Sequence, residues 1–269
     1  MDRKKHSVSK DKKLKKKEEL AKKKAIDETV RTAAAKAAPI EEFPSFLKYE
    51  RNGLNLQLEA DLGEKLSPPL KQYIQDLLKL NMEGPFGPDE WPAEEKKKRR
   101  DMVSPDARYI IVREKNLSQD SKFSSDSNLG LSDHHRCAGL WGANGGDPVV
   151  AFVHYRFVVE HDVPALYVFE IQLEQSIQGK GFGKFLMQFL ELIARKNNMK
   201  AVLLTVQKRN TRAMAFYTQK LRFVVASISP SRWQDTLTGA EMTYEILCKT
   251  FDVEAKSILE EGTHLGAET

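Results

Sequence analysis

The sequence predicts an α/β fold of the α+β kind, in which a mixed, mostly antiparallel sheet is flanked by helices. Residues 167–173 are rich in β-branched and aromatic residues, as strands are, and a glycine-rich turn then leads into apolar residues at helical spacing from Phe182 onward. A second apolar strand at 201–206 precedes a short helix at 210–217. Further segments alternate apolar and polar residues, which indicates half-buried strands.

The other elements are predicted from the same periodicities and from turn residues. In chain order they are a strand at 53–58, a helix at 67–80, a loop at 81–91, a basic helix at 93–102, and strands at 109–112, 149–159, 165–173, 223–228 and 243–249. A hairpin is predicted across Glu160 to Pro164, and residues 223–228 pair with 243–249 in this prediction. Folded structure is expected to begin near Phe43.

Composition divides the chain into three parts. Residues 1–39 form a basic, lysine-rich segment, 40–250 a folded domain with a polar insertion at 115–147, and 251–269 a tail without a predictive pattern. The first 24 residues hold 12 Lys or Arg and 4 Asp or Glu, whereas the rest holds 31 and 34. The basic block predicts either a contact with ribosome or nucleic acid, or a solvated, partly helical tail.

Membrane, disulfide and metal classes are not predicted. No apolar run reaches the length of a membrane span, and the lysine-rich start is unlike a signal peptide, so an intracellular protein is expected. Cys137 and Cys248 have no partners at metal-ligand spacing, which favours neither a disulfide framework nor a zinc site. His134 and His135 are interpreted as solvated loop residues.

The glycine turn at 178–183 predicts a pyrophosphate site. Its glycines allow close approach of the backbone to a ligand, and the following helix offers unpaired N–H groups at its start. A nucleoside-triphosphate loop is excluded because Lys184 is followed by Phe185 rather than Ser or Thr. A dinucleotide fingerprint is excluded because its third glycine and parallel βαβ context are missing.

Two motifs in this order resemble those of the GNAT superfamily of N-acetyltransferases. They are Gln178-x-x-Gly181-x-Gly183 after a strand, and Asn210-Thr-Arg-Ala-Met-Ala-Phe-Tyr217 after the next strand. The resemblance implies acetyl-CoA as cofactor and Tyr217 as a candidate acid for the departing thiolate, with Phe216 in the core. The residues implied to hold acetyl-CoA are Ile171, Gln172, Leu173, Gly179, Lys180, Gly181, Phe182, Gly183, Lys184 and Asn210.

Longer strings resemble the N-alpha-acetyltransferase D family, NatD, over residues 43–249 apart from the insertion. They include Lys48-Tyr-Glu-Arg-Asn-Gly-Leu-Asn55, Leu166-Tyr-Val-Phe-Glu-Ile-Gln-Leu-Glu174, Ser229-Pro-Ser231 and Thr243-Tyr-Glu-Ile-Leu247. This resemblance implies acetyl transfer to the N-terminal amine of histones beginning Ser-Gly-Arg-Gly, in nucleus and cytoplasm. The residues implied to bind that substrate are Phe86, Trp91, Glu160, Phe169, Thr205 and Tyr244.

The chain departs from NatD at three positions of this cleft. Phe86 and Phe169 stand where animal members have tyrosine, so two hydroxyl groups are missing. Val158 stands where relatives have an acidic residue, which leaves Glu160 as the main carboxylate for a cationic substrate. These departures concern catalytic detail and substrate strictness rather than the acetyl-CoA site.

The acceptor chemistry favours a modest base. An α-amine needs only about 1 kcal/mol to lose its proton at pH 7, whereas a lysine side chain needs roughly 4 to 5 kcal/mol. Glu170, acting through a water, is the candidate catalytic base, and Tyr167 a candidate contact for substrate or water. The alternative for Glu170 is a structural carboxylate. Backbone N–H groups of the same strand are expected to polarise the thioester.

Two other functions stay open. One is a GNAT enzyme that acts on lysine side chains or small amines, for which a wider cleft and a stronger base are expected. The other is a non-catalytic GNAT-like module that binds ribosome or nucleic acid through the basic segment.

Overall fold

The computed structural model describes residues 2–115, 147–232 and 242–262, with side chains from residue 13 onward. Most of the predicted insertion, with His134, His135 and Cys137, lies outside the described residues, as do residues 233–241 and 263–269. Within the described ranges, no helix combines the length and apolar character needed to cross a membrane.

Eight strands form one sheet in the order β1-β2-β3-β4-β5-β6-β8-β7, in which all neighbours are antiparallel except β5 and β6. This mixed, mostly antiparallel sheet confirms the predicted fold class. The strands are β1 (Lys48–Arg51), β2 (Leu54–Leu62), β3 (Arg108–Glu114), β4 (Val149–Glu160), β5 (Val163–Leu173), β6 (Ala201–Gln207), β7 (Val224–Val225) and β8 (Tyr244–Thr250).

Helices cover both faces of the sheet. They are α1 (Asp2–Ala35), α2 (Pro68–Phe86), α3 (Trp91–Met102), α4 (Phe182–Lys196), α5 (Thr211–Ala215), which continues as a π-helical turn at Phe216–Lys220, and α6 (Val253–Leu259). The largest core cluster contains the apolar side of α4 and the end of α1, and a second contains residues of α2 and α3. A third cluster contains residues of α6 together with β6 and β8.

The packed structure begins earlier than the sequence predicts. Ala33 and Ile40 are buried in the largest core cluster, and Val30 packs against it. The guanidinium of Arg108 donates to the carbonyls of Ala34 and Lys36, which satisfies carbonyls that the end of α1 would otherwise leave unpaired. The prediction of a start near Phe43 was wrong because alanines give little periodic signal.

The loop predicted at 81–91 is mostly helical. Helix α2 continues through Gly84 and Pro85 to Phe86 and ends at Gly87, whose φ of 84° and bond from its N–H to Glu83 O (2.8 Å) stop it. Helix α3 begins directly after a short turn, at Trp91. The two helices therefore hold Phe86 and Trp91 close together above the sheet.

The structure contains one β-hairpin that the sequence analysis predicted and one that it did not. The β4–β5 hairpin turns at His161 and Asp162, both with positive φ, which confirms the predicted hairpin. Strand β1 was not predicted, although Asn52-Gly53, also with positive φ at both residues, is a strong hairpin signal. The strand predicted at 223–228 is only two residues long, and α6 was not predicted.

Candidate active site

Strands β5 and β6 are parallel and are connected through α4, so the prediction that a parallel βαβ unit is missing was wrong, and only the missing third glycine excludes a dinucleotide fingerprint. A gap opens in the middle of the sheet where these two strands separate. Strands β5 and β6 pair only from Ala165–Ala201 to Val168–Leu204, and beyond this point no pairing between them continues. The β6-facing backbone groups of residues 169–173 consequently have no strand partner among the described strands. Such an exposed strand edge offers hydrogen bonds to an extended ligand.

The glycine turn lies at the end of β5 and is fixed from β1 and the β1–β2 turn. Gly179 and Gly181 have φ of 74° and 84°, a region that favours glycine. The carbonyl of Lys180 accepts hydrogen bonds from Asn52 Nδ2 (2.8 Å) and Tyr49 Oη (3.3 Å). The turn is thus held from outside, while the helix that follows it has no side-chain N-cap.

This arrangement fits the phosphates and the pantetheine arm of acetyl-CoA. The first-turn N–H groups of α4 have neither an intrahelical acceptor nor a side-chain cap, so they are available to an anion. Lys180, Lys184 and Arg212 are exposed around the turn. Gln178 links it to both sides, since its Nε2 donates to Leu173 O (2.9 Å) and its Oε1 accepts from Arg212 (3.2 Å).

The predicted acetyl-CoA residues contribute mainly backbone. The side chain of Phe182 is buried against Tyr49, with ring centroids 4.9 Å apart, so only its N–H faces the turn. Ile171 and Leu173 pack against the largest core cluster. Asn210 caps α5, because its Oδ1 accepts from Ala213 N (3.1 Å), and its amide NH₂ makes no hydrogen bond with the described residues.

Tyr217 lies in the π-helical turn and is buried between Phe216 and Phe223, with ring centroids 5.1 and 6.1 Å away. Burial, with a smaller contribution from the Glu170 charge, raises the pKa of Tyr217 well above its usual range. Its hydroxyl, which is protonated at neutral pH like that of any tyrosine, has no hydrogen-bond partner in the described chain. It can donate a proton, although the raised pKa makes it a weaker acid than an exposed tyrosine.

A bulge in β5 determines which side chains face the gap. His154 pairs with Glu170, but the next residue, Tyr155, pairs with Val168, so Phe169 is inserted as an extra residue. As a result, Phe169 and Glu170 both contact residues on the α2–α3 face of the sheet. Strict alternation would have sent one of them to the opposite face.

Glu170 is held in a buried network that spans three elements. Its Oε1 pairs with the ammonium of Lys98 on α3, and its Oε2 accepts from Gln172 Nε2 (3.0 Å). Asn81 of α2 donates to Gln172 Oε1 (3.0 Å). The Lys98 and Glu170 side chains are only 17 % and 10 % exposed, so this is a buried ion pair.

Sequence reasoning missed Lys98, which is one of five cationic residues at 96–100. Burial works against its charge, but the Glu170 carboxylate outweighs that effect and raises the pKa of Lys98 above its ordinary value. Its ammonium also lies 5.4 Å from the centre of the Phe86 ring. The helical periodicity of α3 places residue 98 on the same side as Trp91 and Met102. That periodicity is the only sequence signal that could have indicated that Lys98 is buried.

An aromatic wall runs along β4 and β5 beside Glu170. The Phe169 ring packs against two neighbouring side chains of β4, with its centroid 4.9 Å from that of His154 and 4.1 Å from the guanidinium of Arg156. His154 is buried, and burial followed by the charges of Arg156 and Lys98 lowers its pKa to about 3. It is therefore neutral, and its Nε2 accepts from Arg156 Nε (3.3 Å).

The wall continues to β6. The Tyr167 ring is 5.1 Å from Phe169, and its hydroxyl is hydrogen-bonded to Thr205. Burial raises the pKa of Tyr167, whereas the hydrogen bond with Thr205 lowers it. The nearby Glu160 and Tyr244 make smaller contributions that raise it. The structure thus brings together most of the predicted acceptor residues.

The remaining predicted residues lie at the borders of this region. Phe86 and Trp91 are buried 6.0 Å apart, and the Trp91 indole N–H has no partner within the described residues. Glu160, at the end of β4, contacts His161 (3.0 Å), and Val158 packs against the third core cluster. Tyr244 begins β8 opposite Gln207.

Three solved acetyltransferase structures are similar to this chain at low sequence identity. The PaiA N-acetyltransferase of Thermoplasma acidophilum, in complex with coenzyme A, is 15 % identical with a TM-score of 0.43, over 72 % of this chain and 99 % of that one. An acetyltransferase of Streptococcus agalactiae is 12 % identical with a TM-score of 0.47, over 72 % and 98 %. NAA60 of Arabidopsis thaliana, bound to a bisubstrate analogue, is 10 % identical with a TM-score of 0.42, over 73 % and 100 %.

The family of this chain is shown by a match to a sequence model of the family, and not by these structures of low sequence identity. The sequence model of the Acetyltransferase (GNAT) family matches residues 76–223, more than half of the 269 residues. This range includes the separated strands, the glycine turn, the uncapped helix start and Tyr217. The chain therefore belongs to the GNAT acetyltransferase family, and acetyl-CoA is its acetyl donor.

Proposed function

We propose that the protein transfers acetyl groups to the α-amine of protein N-termini. The observation that carries this proposal is the environment of Glu170: a carboxylate on a strand bulge, beside the gap between β5 and β6, already paired with an ammonium and bordered by aromatic rings. A carboxylate that is already paired with an ammonium is a modest base. A modest base is sufficient for an α-amine, because an α-amine loses its proton easily. Together with the NatD-like strings, this favours N-terminal over lysine acetylation.

In the proposed mechanism the chain positions the acceptor amine and removes its proton. Acetyl-CoA supplies an acetyl thioester and leaves as the thiol. Tyr167, Phe169 and Thr205 orient the acceptor terminus, and Glu170 takes the proton lost by its nitrogen through an intervening water. Tyr217, buried beside Phe216 and Phe223, is the group that returns a proton to the departing thiolate.

We further propose histones beginning Ser-Gly-Arg-Gly as the substrate class. The resemblance to NatD supports this, and Glu160 supplies a carboxylate for the arginine side chain. Because Val158, Phe86 and Phe169 replace polar groups of the relatives, sequence discrimination is expected to be looser than theirs. Action on nascent or mature histones agrees with a location in cytoplasm and nucleus.

The basic part of α1 is proposed to contact a polyanion such as ribosomal RNA. Residues 13–25 are exposed on all sides of the helix, although Lys22 pairs with Glu254 of α6. In the described part of α1, the residues that pack in the core lie near its C-terminal end. Deleting residues 1–24 should reduce binding to RNA, steeply with salt, and leave peptide turnover nearly intact. If turnover disappears with the tail in a folded protein, the basic segment belongs to the reaction instead.

A panel of short peptides with acetyl-CoA tests the proposal. One peptide begins Ser-Gly-Arg-Gly with a free α-amine, and its matched control carries a blocked N-terminus and an internal lysine. Mass spectrometry identifies the modified nitrogen. We expect acetylation of the free terminus only. Modification of the blocked, lysine-containing peptide at an equal rate would contradict the proposal and favour a lysine acetyltransferase.

A further inference from the structure

The Lys98–Glu170 ion pair has a consequence for the form in which the acceptor amine enters. Glu170 is the carboxylate nearest the proposed transfer chemistry, and an ammonium group would be its natural partner. That partner is already present, because Lys98 pairs with Oε1 and lies over the Phe86 ring. A carboxylate next to an aromatic face is the arrangement that recognises ammonium groups.

The other charges around this pair are also balanced. Arg156 lies 3.7 Å from Asp101, and Lys97 lies 4.0 Å from Glu94. The other titratable groups that face the pair, Tyr109, His154 and Tyr217, are neutral at pH 7. Among the described residues, a second ammonium would therefore enter a region whose carboxylates are already paired with cations.

We propose that Lys98 is a tethered ammonium that occupies the cation position on Glu170, so that the acceptor enters as a neutral amine. This inference rests on the proposed N-terminal acetyltransferase function and adds a residue that controls its acceptor. At pH 7 about one α-amine in seven is neutral, but only about one lysine side chain in 2,500. A site that admits only neutral amines therefore encounters chain termini a few hundredfold more often than lysines.

Lys98 acts through Glu170 and is a positioning residue, so the test needs a readout that a purely structural role leaves unchanged. This readout is the dependence of kcat/KM on pH between 5.5 and 7, measured with a Ser-Gly-Arg-Gly peptide. For the wild-type protein we expect a rise of about tenfold per pH unit, following the neutral fraction of the α-amine. A flat wild-type profile overturns the inference.

Substitution of Lys98 separates its charge from its packing. In Lys98→Met the Glu170 carboxylate is free to bind the substrate's ammonium, so the slope should fall below about threefold per pH unit. Lys98→Arg keeps a cation and should keep the wild-type slope, as should Lys96→Met, which removes an exposed lysine of the same helix. An unchanged slope in Lys98→Met, with a normal melting curve, overturns the inference.

Two safeguards keep the outcomes distinct. Removing one partner of a buried pair is destabilising, so Lys98→Gln, which can still bond to Glu170, is measured alongside. If neither neutral variant folds, the wild-type profile alone decides. If the wild-type protein acetylates only the lysine of a blocked peptide, the proposed function fails, yet the inference still predicts a tenfold rise per pH unit, extending beyond pH 9 on that peptide.

Discussion

The donor and acceptor halves of the active site are built in different ways. The donor half, residues 171–184, consists of strand edge, glycine turn and helix start, and it presents backbone groups that follow one another in the chain. The acceptor half, α2, α3 and the facing side chains of β4–β6, presents side chains. Its central contact, Lys98 to Glu170, joins residues 72 positions apart.

This difference explains why one half is more robust than the other. Backbone N–H groups at a helix start keep their positions under most substitutions, provided that the glycines keep their positive φ. The acceptor half depends on a bulge, a buried ion pair and a stack of rings, each of which a single substitution can disrupt. The two halves should accordingly respond to mutation independently.

The largest effect is expected from Glu170→Gln, which removes the proposed base and leaves the side-chain shape. We expect kcat for a free-amine peptide to fall by about 100-fold or more, the usual range for a general base. The Kd for acetyl-CoA, measured by calorimetry, should stay within twofold. A comparable loss of acetyl-CoA binding would show that the two halves are not separate.

The complementary change in the donor half is Gly181→Val. A branched residue at φ 84° is strained, and its Cβ would lie 3.5 Å from Asn52 Nδ2. Strain of about 1–3 kcal/mol in the turn should weaken acetyl-CoA binding by tenfold or more. Gly84→Ala is the matched control: it sits in α2 with open space around it and should leave that Kd unchanged while raising the melting temperature.

The same contrast separates what the sequence could predict from what it could not. Gln178 to Gly183 and Asn210 to Tyr217 are local patterns, so the donor half and the fold class were visible. The bulge at Phe169 is a register shift between distant strands, which no local pattern records. Lys98 looks like its lysine neighbours until α3 is placed on the sheet. The packing of the end of α1 in the core was missed because alanines bury without a strong periodic signal.

Acid should weaken the acceptor half first. The pKa of His154 is lowered to about 3 in the folded protein, against about 6.5 when unfolded, so the unfolded chain takes up a proton first as the pH falls. Between pH 7 and 5 this group alone should cost about 2 kcal/mol of stability. Denaturant melts should show the loss, and His154→Gln, which keeps an acceptor for Arg156 but does not titrate, should reduce it. Equal acid sensitivity in both proteins would contradict this assignment.

The smallest effect is expected from Phe169→Tyr, which adds a hydroxyl to the acceptor wall. The ring is already held by its contacts with His154 and Arg156, so the new group should extend toward the gap without reorienting the ring. One additional hydrogen bond to substrate or water, worth about 0.5–1 kcal/mol, should raise turnover on a Ser-Gly-Arg-Gly peptide about threefold. Steady-state kinetics measure it, with the KM for acetyl-CoA as internal control. An unchanged or lower turnover would mean that Phe169 serves the wall only through its packing, and that the acceptor half of this protein does not depend on a hydroxyl at this position.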